Sequence, residues 1–136
     1  MSAILNPYLN FKDEARQAME FYQGALGGEL TLNTFGEFHA SEDPSEADKI
    51  MHAQLKTPSG FTLMAADTPN QMQFTGHAGF SVSLSGDDAP ELQGYWEALA
   101  DGGQVVMPLE RQMWGDTFGM VVDRFGVTWM VNIAGQ

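Results

Sequence analysis

Two of the three histidines in this 136-residue chain have positions suited to proton transfer or ligand binding near neutral pH. His52 lies in a predicted strand, where an imidazole can accept a proton or hold a ligand. The alternative is a histidine that is hydrogen-bonded for structure. His77 opens a later predicted strand after Thr75-Gly76, and its alternative role is to cap that loop. We therefore take His52 as the candidate catalytic residue and both histidines as candidate ligand contacts.

The third histidine, His39, lies in a polar, acidic stretch at 37–48. Glu37, Glu42 and Asp43 are its neighbours in sequence, and carboxylate and imidazole groups are donors for divalent cations. The alternative, which we adopt as the expectation, is a histidine exposed on a surface loop.

Two aromatic residues, Trp114 and Phe118, bracket Gly115-Asp116. Aromatic rings at the mouth of a cleft can stack on planar ligands or attract cations. Packing in the core is the alternative. The pattern makes both residues candidate contacts for a planar or cationic small molecule.

The charge balance limits the range of partners. The chain has 18 acidic and 6 basic residues, a net charge of −12, and no cysteine. The negative electrostatic field of such a chain repels nucleic acid and anionic membranes and attracts cations, although the charge also keeps the protein soluble. Disulfide and thiol chemistry are excluded. Without a signal-peptide pattern or an apolar run of roughly 20 residues, we expect a cytoplasmic protein.

The candidate residues depend on two similar sets of predicted elements. The first set is a strand at 4–11, a helix at 13–26 with Asp13 as N-cap, and strands at 29–35, 50–56 and 61–66. The second set is a strand at 77–85, a helix at 88–100, and strands at 104–111, 117–123 and 127–133.

The two sets are related by constant offsets in the sequence. Adding 75 carries Asp13 to Asp88 and Phe21 to Trp96, a pair expected in the core. Adding 66 carries Gly60 to Gly126. Matches in the same order of elements indicate an internal duplication.

The duplication predicts the fold. A single βαβββ module cannot bury both faces of its sheet, because its helix covers only one of them. Two modules are expected to form an α+β domain spanning 1–136, with a curved eight-stranded mixed sheet, helices outside and a trough inside. The predicted boundaries are module 1–66, linker 67–76 and module 77–136.

Three segments resemble one known superfamily. The entry motif from Phe11-Lys12-Asp13 to Leu26-Gly27-Gly28 is similar to the opening of the vicinal oxygen chelate superfamily, which has the glyoxalase/bleomycin resistance fold. His52-Ala53-Gln54-Leu55 and the long segment 114–129 resemble its PhnB-like branch, also described as a 3-demethylubiquinone-9 3-methyltransferase domain. No nucleotide-binding fingerprint accompanies these motifs to support methyl transfer.

The resemblance also implies positions for a metal. Metal-dependent superfamily members place four ligands in the trough, on the first and last strands of each half. Carried over to this chain, these positions are Asn6, Met64, His77 (or Ser81) and Met130. Asparagine and methionine are poor donors to hard divalent cations. We therefore predict no cofactor and disfavour a divalent metal.

Strand alternation sorts the remaining candidates by face. Leu9, Phe11, Ala53 and Leu55 are expected in the core, which turns their neighbours towards the trough. The candidate ligand-binding set is Asn6, Tyr8, His52, Gln54, Met64, His77, Trp114, Phe118 and Met130. The alternative is a face that is only hydrated by solvent, or one that is buried in a dimer interface.

Two functions remain open. One is a binder of a cationic or planar small molecule, similar to the bleomycin-sequestering proteins and without the standard metal site. The other is a metal- or His52-assisted enzyme acting on a small oxygenated substrate, such as a glyoxalase-like lyase, an isomerase or a dioxygenase. In either case we expect a homodimer, because superfamily members commonly pair and exposed sheet edges need cover.

Overall fold

The computed structural model describes residues 3–38 and 43–135. The chain forms two compact units, one ending at Gly76 and the other beginning at His77. The elements of the first unit are β1 (Tyr8–Phe11), α1 (Ala15–Leu26), β2 (Glu29–Thr34), the 3-10 turn Pro44–Glu46, β3 (Ile50–Lys56) and β4 (Thr62–Asp67). The elements of the second unit are β5 (Val82–Gly86), α2 (Ala89–Ala100), β6 (Gln104–Arg111), β7 (Thr117–Val122) and β8 (Thr128–Ile133). The α+β class and the βαβββ order of each half are confirmed.

Both units have the same sheet topology. The strand orders are β1-β4-β3-β2 and β5-β8-β7-β6, so the eight strands are joined by hydrogen bonds as two sheets of four. In each sheet the first and last strands run parallel and the other neighbours antiparallel. Tyr8 lies opposite Met64, and Ser83 lies opposite Met130, which reproduces the offsets of 75 and 66.

The last hairpin of each unit repeats the same hydrogen bonds. In the first unit the Thr57 N–H donates to the Phe61 carbonyl at 3.0 Å, and the Phe61 N–H donates to Thr57 Oγ1 at 3.0 Å. In the second unit the Asp123 N–H donates to the Val127 carbonyl at 2.9 Å, and the Val127 N–H donates to Asp123 Oδ1 at 3.1 Å. Each pair of equivalent residues differs by 66, so the duplication extends to the turn chemistry.

In the first unit α1 packs against β2, β3 and β4. Its apolar side supplies five buried residues: Ala15, Ala18, Met19, Tyr22 and Leu26. Alternate strand residues meet them, and Leu9, Phe11, Ala53 and Leu55 are buried as predicted. Their neighbours lie on the opposite side of the sheet, which we call the open face of the first sheet.

In the second unit α2 packs against all four strands. The core includes Leu84, Leu92, Leu99, Val121, Trp129 and Val131. The prediction that Phe21 and Trp96 lie in the core is wrong, because both side chains are only partly buried. Tyr22 and Tyr95 are the aromatic core residues of the two helices. Trp96 instead lies over Gly119, where an added Cβ would come within 2.8 Å of its ring.

The start of α1 differs from the prediction. Asp13 does not cap the helix; its φ is 67°, and the N-cap position is Glu14, which makes no side-chain capping bond. Asp67 Oδ1 accepts the Ala15 N–H at 2.9 Å instead, and its Oδ2 accepts the Ile50 N–H at 2.9 Å. The predicted linker therefore begins with a buried residue of the first unit. In α2 the equivalent residue, Asp88, does cap the helix and accepts from the Glu91 N–H at 3.1 Å.

Both entry strands are shorter than predicted. β1 begins at Tyr8 rather than at residue 4; the preceding Pro7 has no N–H to donate, although its carbonyl accepts the Met64 N–H. β5 begins at Val82 rather than at residue 77. Gly79, with φ 81°, takes a left-handed conformation that interrupts an extended chain. The described helices, including α1 and α2 with 12 residues each, are too short or too polar to span a membrane.

Candidate functional site

The open face of the first sheet brings together four of the predicted contacts. Tyr8 lies opposite Met64, and Met64 lies opposite Gln54 on the next strand. His52 lies opposite Asn33 on β2. All of these side chains are at least partly exposed. Strand alternation therefore places them on one accessible surface.

Tyr8 and His52 are in contact across this face. The Tyr8 phenol oxygen lies 3.5 Å from His52 Nδ1, and the ring centroids are 5.9 Å apart. Partial burial raises the pKa of the Tyr8 phenol above its ordinary value of 10.0, because desolvation penalises the phenolate. The phenol therefore stays protonated at neutral pH. A neutral phenol beside an imidazole is a pair that can relay or position a proton.

Two predicted contacts, Asn6 and His77, do not lie on strands. Asn6 precedes β1 and is partly buried. His77 precedes β5, and its ring stands 6.5 Å from that of Phe80. The cross-strand partners of Met64 and Met130 are Tyr8 and Ser83, rather than Asn6 and His77 or Ser81.

The strand residues next to the carried-over metal positions are poor donors for a hard divalent cation. The two cross-strand pairs are Tyr8 with Met64 and Ser83 with Met130, which supply neither carboxylate nor imidazole. Within residues 3–38 and 43–135, no three His, Asp or Glu side chains come together as a metal-binding group. His39 and Glu42 lie outside the described residues.

The acidic neighbours of His39 have local structural contacts. Glu37 Oε1 accepts the Thr34 N–H at 3.1 Å. Asp43 Oδ1 accepts the Ser45 N–H at 2.9 Å and so caps the 3-10 turn. Both carboxylates thus take part in turns, and Asp43 Oδ2 also accepts from Asn70 Nδ2 at 3.3 Å.

The opposite side of the second sheet, away from α2, is its open face and carries three methionines in register. Met130 on β8 lies opposite Met120 on β7, and Met120 lies opposite Met107 on β6. We call these three residues the methionine row. Met130 was a predicted contact, but Met107 and Met120 were not. β6 has two register shifts, and each shift breaks the simple alternation from which faces are predicted.

The predicted aromatic pair stands at one end of this face. Trp114 and Phe118 have ring centroids 6.3 Å apart at an interplanar angle of 59°. Trp114 is 63% exposed, in the loop that joins β6 to β7. A hydrogen bond of 2.7 Å from the Gln112 N–H to the Asp116 carbonyl closes that loop. The indole is therefore held beside Phe118 and open to solvent.

Asp116 supplies a fixed negative charge between the two aromatic positions. Its carboxylate accepts from Asn132 Nδ2 at 2.9 Å and from the Gly135 N–H at 2.8 Å. The hydrogen bond from Asn132 and, to a smaller extent, that from Gly135 lower the pKa of Asp116 below its ordinary value of 3.8. Glu110 adds a second acid opposite Phe118. The surface around the aromatic pair therefore favours a cation.

A separate polar cluster lies near the start of α1. Lys49 Nζ is 2.8 Å from Asp13 Oδ1, donates to Asn70 Oδ1 at 2.7 Å, and stands 3.6 Å from the buried Glu46. Asp13, Lys49 and Asn70 border a depression of about 480 Å³. Because they pair with one another, the cluster ties the turn before β3 to residues 13 and 70.

Comparison with known proteins agrees with this architecture. A family profile described as 3-demethylubiquinone-9 3-methyltransferase matches residues 3–132. The crystal structure of protein PA1353 from Pseudomonas aeruginosa is 42% identical, with a TM-score of 0.87 over 99% of this chain and 100% of that one.

More distant structures share the fold alone. A putative 3-demethylubiquinone-9 3-methyltransferase, PhnB protein, from Bacillus cereus is 21% identical, with a TM-score of 0.76 over 97% of this chain and all of that one. A glyoxylase/bleomycin resistance protein/dioxygenase domain from Frankia sp. EAN1pec is 14% identical, with a TM-score of 0.68 over 98% of both chains. The fold is thus that of the glyoxalase/bleomycin resistance proteins. The chain belongs to the family described as 3-demethylubiquinone-9 3-methyltransferase, which confirms the predicted family resemblance.

Proposed function

We propose that this chain binds a small, planar, positively charged organic molecule on the open face of the second sheet, without the four-ligand divalent metal site of its superfamily. The observation that carries the proposal is the exposed Trp114 ring held beside Phe118, with the Asp116 carboxylate fixed between them in sequence. Stacking on the rings would orient the ligand, and the carboxylate would select its charge.

The interaction energies favour a cationic aromatic ligand over a neutral one. A cation over an exposed aromatic face gains about 0.5–1 kcal/mol. Aromatic stacking adds about 0.5–1.5 kcal/mol beyond the buried area. The net charge of −12 raises the local concentration of cations around the whole chain. The partly exposed side chains of the methionine row, which are flexible and polarizable, would adapt to different ligand shapes.

Tryptophan fluorescence tests the proposal directly. Of the three tryptophans, Trp129 is buried and Trp114 is 63% exposed. We would titrate the protein with an acridine-type cation, a neutral aromatic amide of similar size, and a tetraalkylammonium ion. We expect saturable quenching with the acridine cation and weaker binding of the other two.

A variant and its matched control assign the site. Trp114→Ala should weaken binding of the acridine cation by about tenfold, which corresponds to ~1.4 kcal/mol. Met113→Ala, at a fully exposed neighbour in the same loop, should leave binding unchanged. Calorimetry provides the affinities, since the first variant removes the fluorescent reporter. Equal affinities for Trp114→Ala and wild type would defeat the proposal.

We infer a second candidate function, proton transfer at His52, from its contact with Tyr8. In the tautomer that donates from Nδ1 towards the Tyr8 oxygen, Nε2 carries the lone pair and can act as a base. The 3.5 Å separation and the neutral phenol support this role. Proton abstraction next to a carbonyl is the reaction class that such a base serves in an isomerase or glyoxalase-like lyase.

Deuterium exchange distinguishes the second candidate from the first. A small 2-hydroxy ketone would be incubated with the protein in D₂O, and loss of its α-proton signal would be followed by NMR. Proton-transfer activity should disappear in His52→Gln and remain in Met113→Ala. A rate of deuterium exchange equal to the rate without protein would contradict the enzyme hypothesis and leave ligand binding as the proposed function.

A further inference from the structure

We propose that the methionine row, Met107, Met120 and Met130, is a binding site for a soft monovalent cation of the Cu(I) type. The site would lie entirely on the open face of the second sheet and would use three thioether sulfurs. Met130 is also one of the carried-over divalent metal positions, but Met107 and Met120 are not, and the row contains none of the other three positions.

The register of the sheet places the three side chains in reach of one ion. Met120 is the middle residue, with Met107 and Met130 as its direct cross-strand partners on either side. Directly opposed residues of antiparallel strands project to the same face, and neighbouring strands lie about 4.8 Å apart. The outer two Cα atoms are thus separated by about 10 Å, which two flexible methionine side chains can close towards a point above Met120.

The donor chemistry selects the ion. Thioethers are soft, neutral ligands that select Cu(I), whereas hard divalent cations require carboxylate or carbonyl oxygens. A monovalent ion also loses less hydration than a divalent one on entering a site without an anionic ligand. The net charge of −12 favours the approach of any cation.

The internal duplication shows that the fold does not require methionine at these positions. Met130 and Met120 correspond by the offset of 66 to Met64 and Gln54, which occupy the same paired positions in the first sheet. The first sheet therefore forms with a glutamine where the second has its central methionine. The row is also partly exposed, with Met107 at 38%, so burial in a core does not account for it.

Silver(I) is the probe, because it has the ligand preferences of Cu(I) without its redox chemistry. The protein would be labelled with ¹³C at the methionine methyl groups, which gives up to nine resonances, and titrated with Ag⁺ in chloride-free buffer. One equivalent of Ag⁺ should shift the methyl resonances of Met107, Met120 and Met130. The exposed Met72 and Met113 serve as internal controls and should not shift.

Leucine substitutions test the affinity, because Leu matches methionine in volume and usually costs little stability. Met120→Leu should weaken Ag⁺ binding by about tenfold or more, since even residues that only orient a metal ligand contribute about 10–100-fold. Met113→Leu should have no effect. Trp114→Phe should also leave Ag⁺ binding unchanged, which separates this site from the proposed organic ligand.

Three outcomes would overturn the site. They are shifts at Met72 or Met113 equal to those of the row, an unshifted row at one equivalent of Ag⁺, and wild-type affinity in Met120→Leu. If Met120→Leu fails to fold, the methyl shifts of the wild-type protein decide alone.

Discussion

The contact between Asp123 and Trp129 allows a quantitative test of the second unit's core. Asp123 is 3% exposed and accepts three hydrogen bonds. Its Oδ1 accepts the Phe125 N–H at 2.8 Å and the Val127 N–H at 3.1 Å, and its Oδ2 accepts Trp129 Nε1 at 2.9 Å. The carboxylate thus joins the β7–β8 turn to the largest buried side chain of the core.

Substitution by asparagine should remove one of these three bonds. An amide that keeps its oxygen at the Oδ1 position still accepts from the two backbone N–H groups. Its NH₂ group then faces the indole N–H of Trp129, so two donors oppose each other. A hydrogen bond to a charged group contributes about 1.5–3 kcal/mol, and we expect Asp123→Asn to reduce the free energy of unfolding by about 2 kcal/mol.

The same substitution should cost far less when residue 129 is phenylalanine. Trp129→Phe removes the donor and leaves Asp123 Oδ2 without this partner. In that background the amide no longer opposes an N–H group, and Asp123→Asn should be close to neutral. The expected coupling between the two positions is therefore about 2 kcal/mol, within the range seen for residues in contact.

Urea unfolding of the wild type, both single variants and the double variant measures this coupling. Far-UV circular dichroism is the suitable signal, because the cycle removes a tryptophan. The urea dependence should be similar in all four proteins, so that midpoints report stability. A cost of Asp123→Asn that agrees within about 0.5 kcal/mol in both backgrounds would refute the reasoning.

Four further predictions concern stability, metal content and assembly. Gly119→Ala should destabilise the protein by about 1–3 kcal/mol in thermal unfolding, because the added Cβ would meet the Trp96 ring at 2.8 Å. Gly94→Ala is the matched control in α2, where an added Cβ meets open space, and it should stabilise the protein by about 0.5–1 kcal/mol. Hydrogen bonding lowers the pKa of Asp116, so its contribution to stability is present above pH 3.8, the ordinary pKa, and is lost as pH falls through the lower pKa of the folded state. Asp116→Asn should flatten this part of the pH profile of stability measured by urea unfolding. An unchanged profile would contradict the assignment. Elemental analysis after dialysis without chelator should find no stoichiometric divalent metal at the superfamily positions; nickel, zinc or iron that disappears in His77→Ala would be the opposite result. Light scattering at micromolar concentration should give a homodimer of about twice 14.9 kDa, and the mass of a single chain would count against pairing.

Local sequence pattern predicted most of the scaffold. A period of two residues placed Leu9 and Phe11 under the helix and Tyr8 on the open face, and the structure agrees. The offsets of 75 and 66 predicted the duplication, which appears again in the strand pairs and turn bonds. Such features depend on residues close in sequence, so they can be derived without knowing which distant segments meet.

The candidate site was predictable only in part. Gln54 pairs with Met64, and strand alternation puts His52 on the same face as Gln54, because a regular strand keeps its alternation. Met107 could not be assigned to the methionine row, since the register shifts in β6 change which of its residues face Met120. A bulge inserts a residue and reverses every later face, and its position depends on pairing with the neighbouring strand.

The amino-acid sequence by itself determined the class of fold, the repeat and the family, because these reside in hydrophobic period, turn residues and motifs. Tertiary structure alone decided which side chain meets which across long intervals. Asp67 rather than Asp13 binds the first N–H of α1 from 52 residues away, because the end of β4 lies beside the start of that helix. Asp116 receives its partner Asn132 only when β8 pairs with β7. A hydrogen bond requires atoms within about 3 Å, and for residues far apart in the chain only the folded backbone sets that distance.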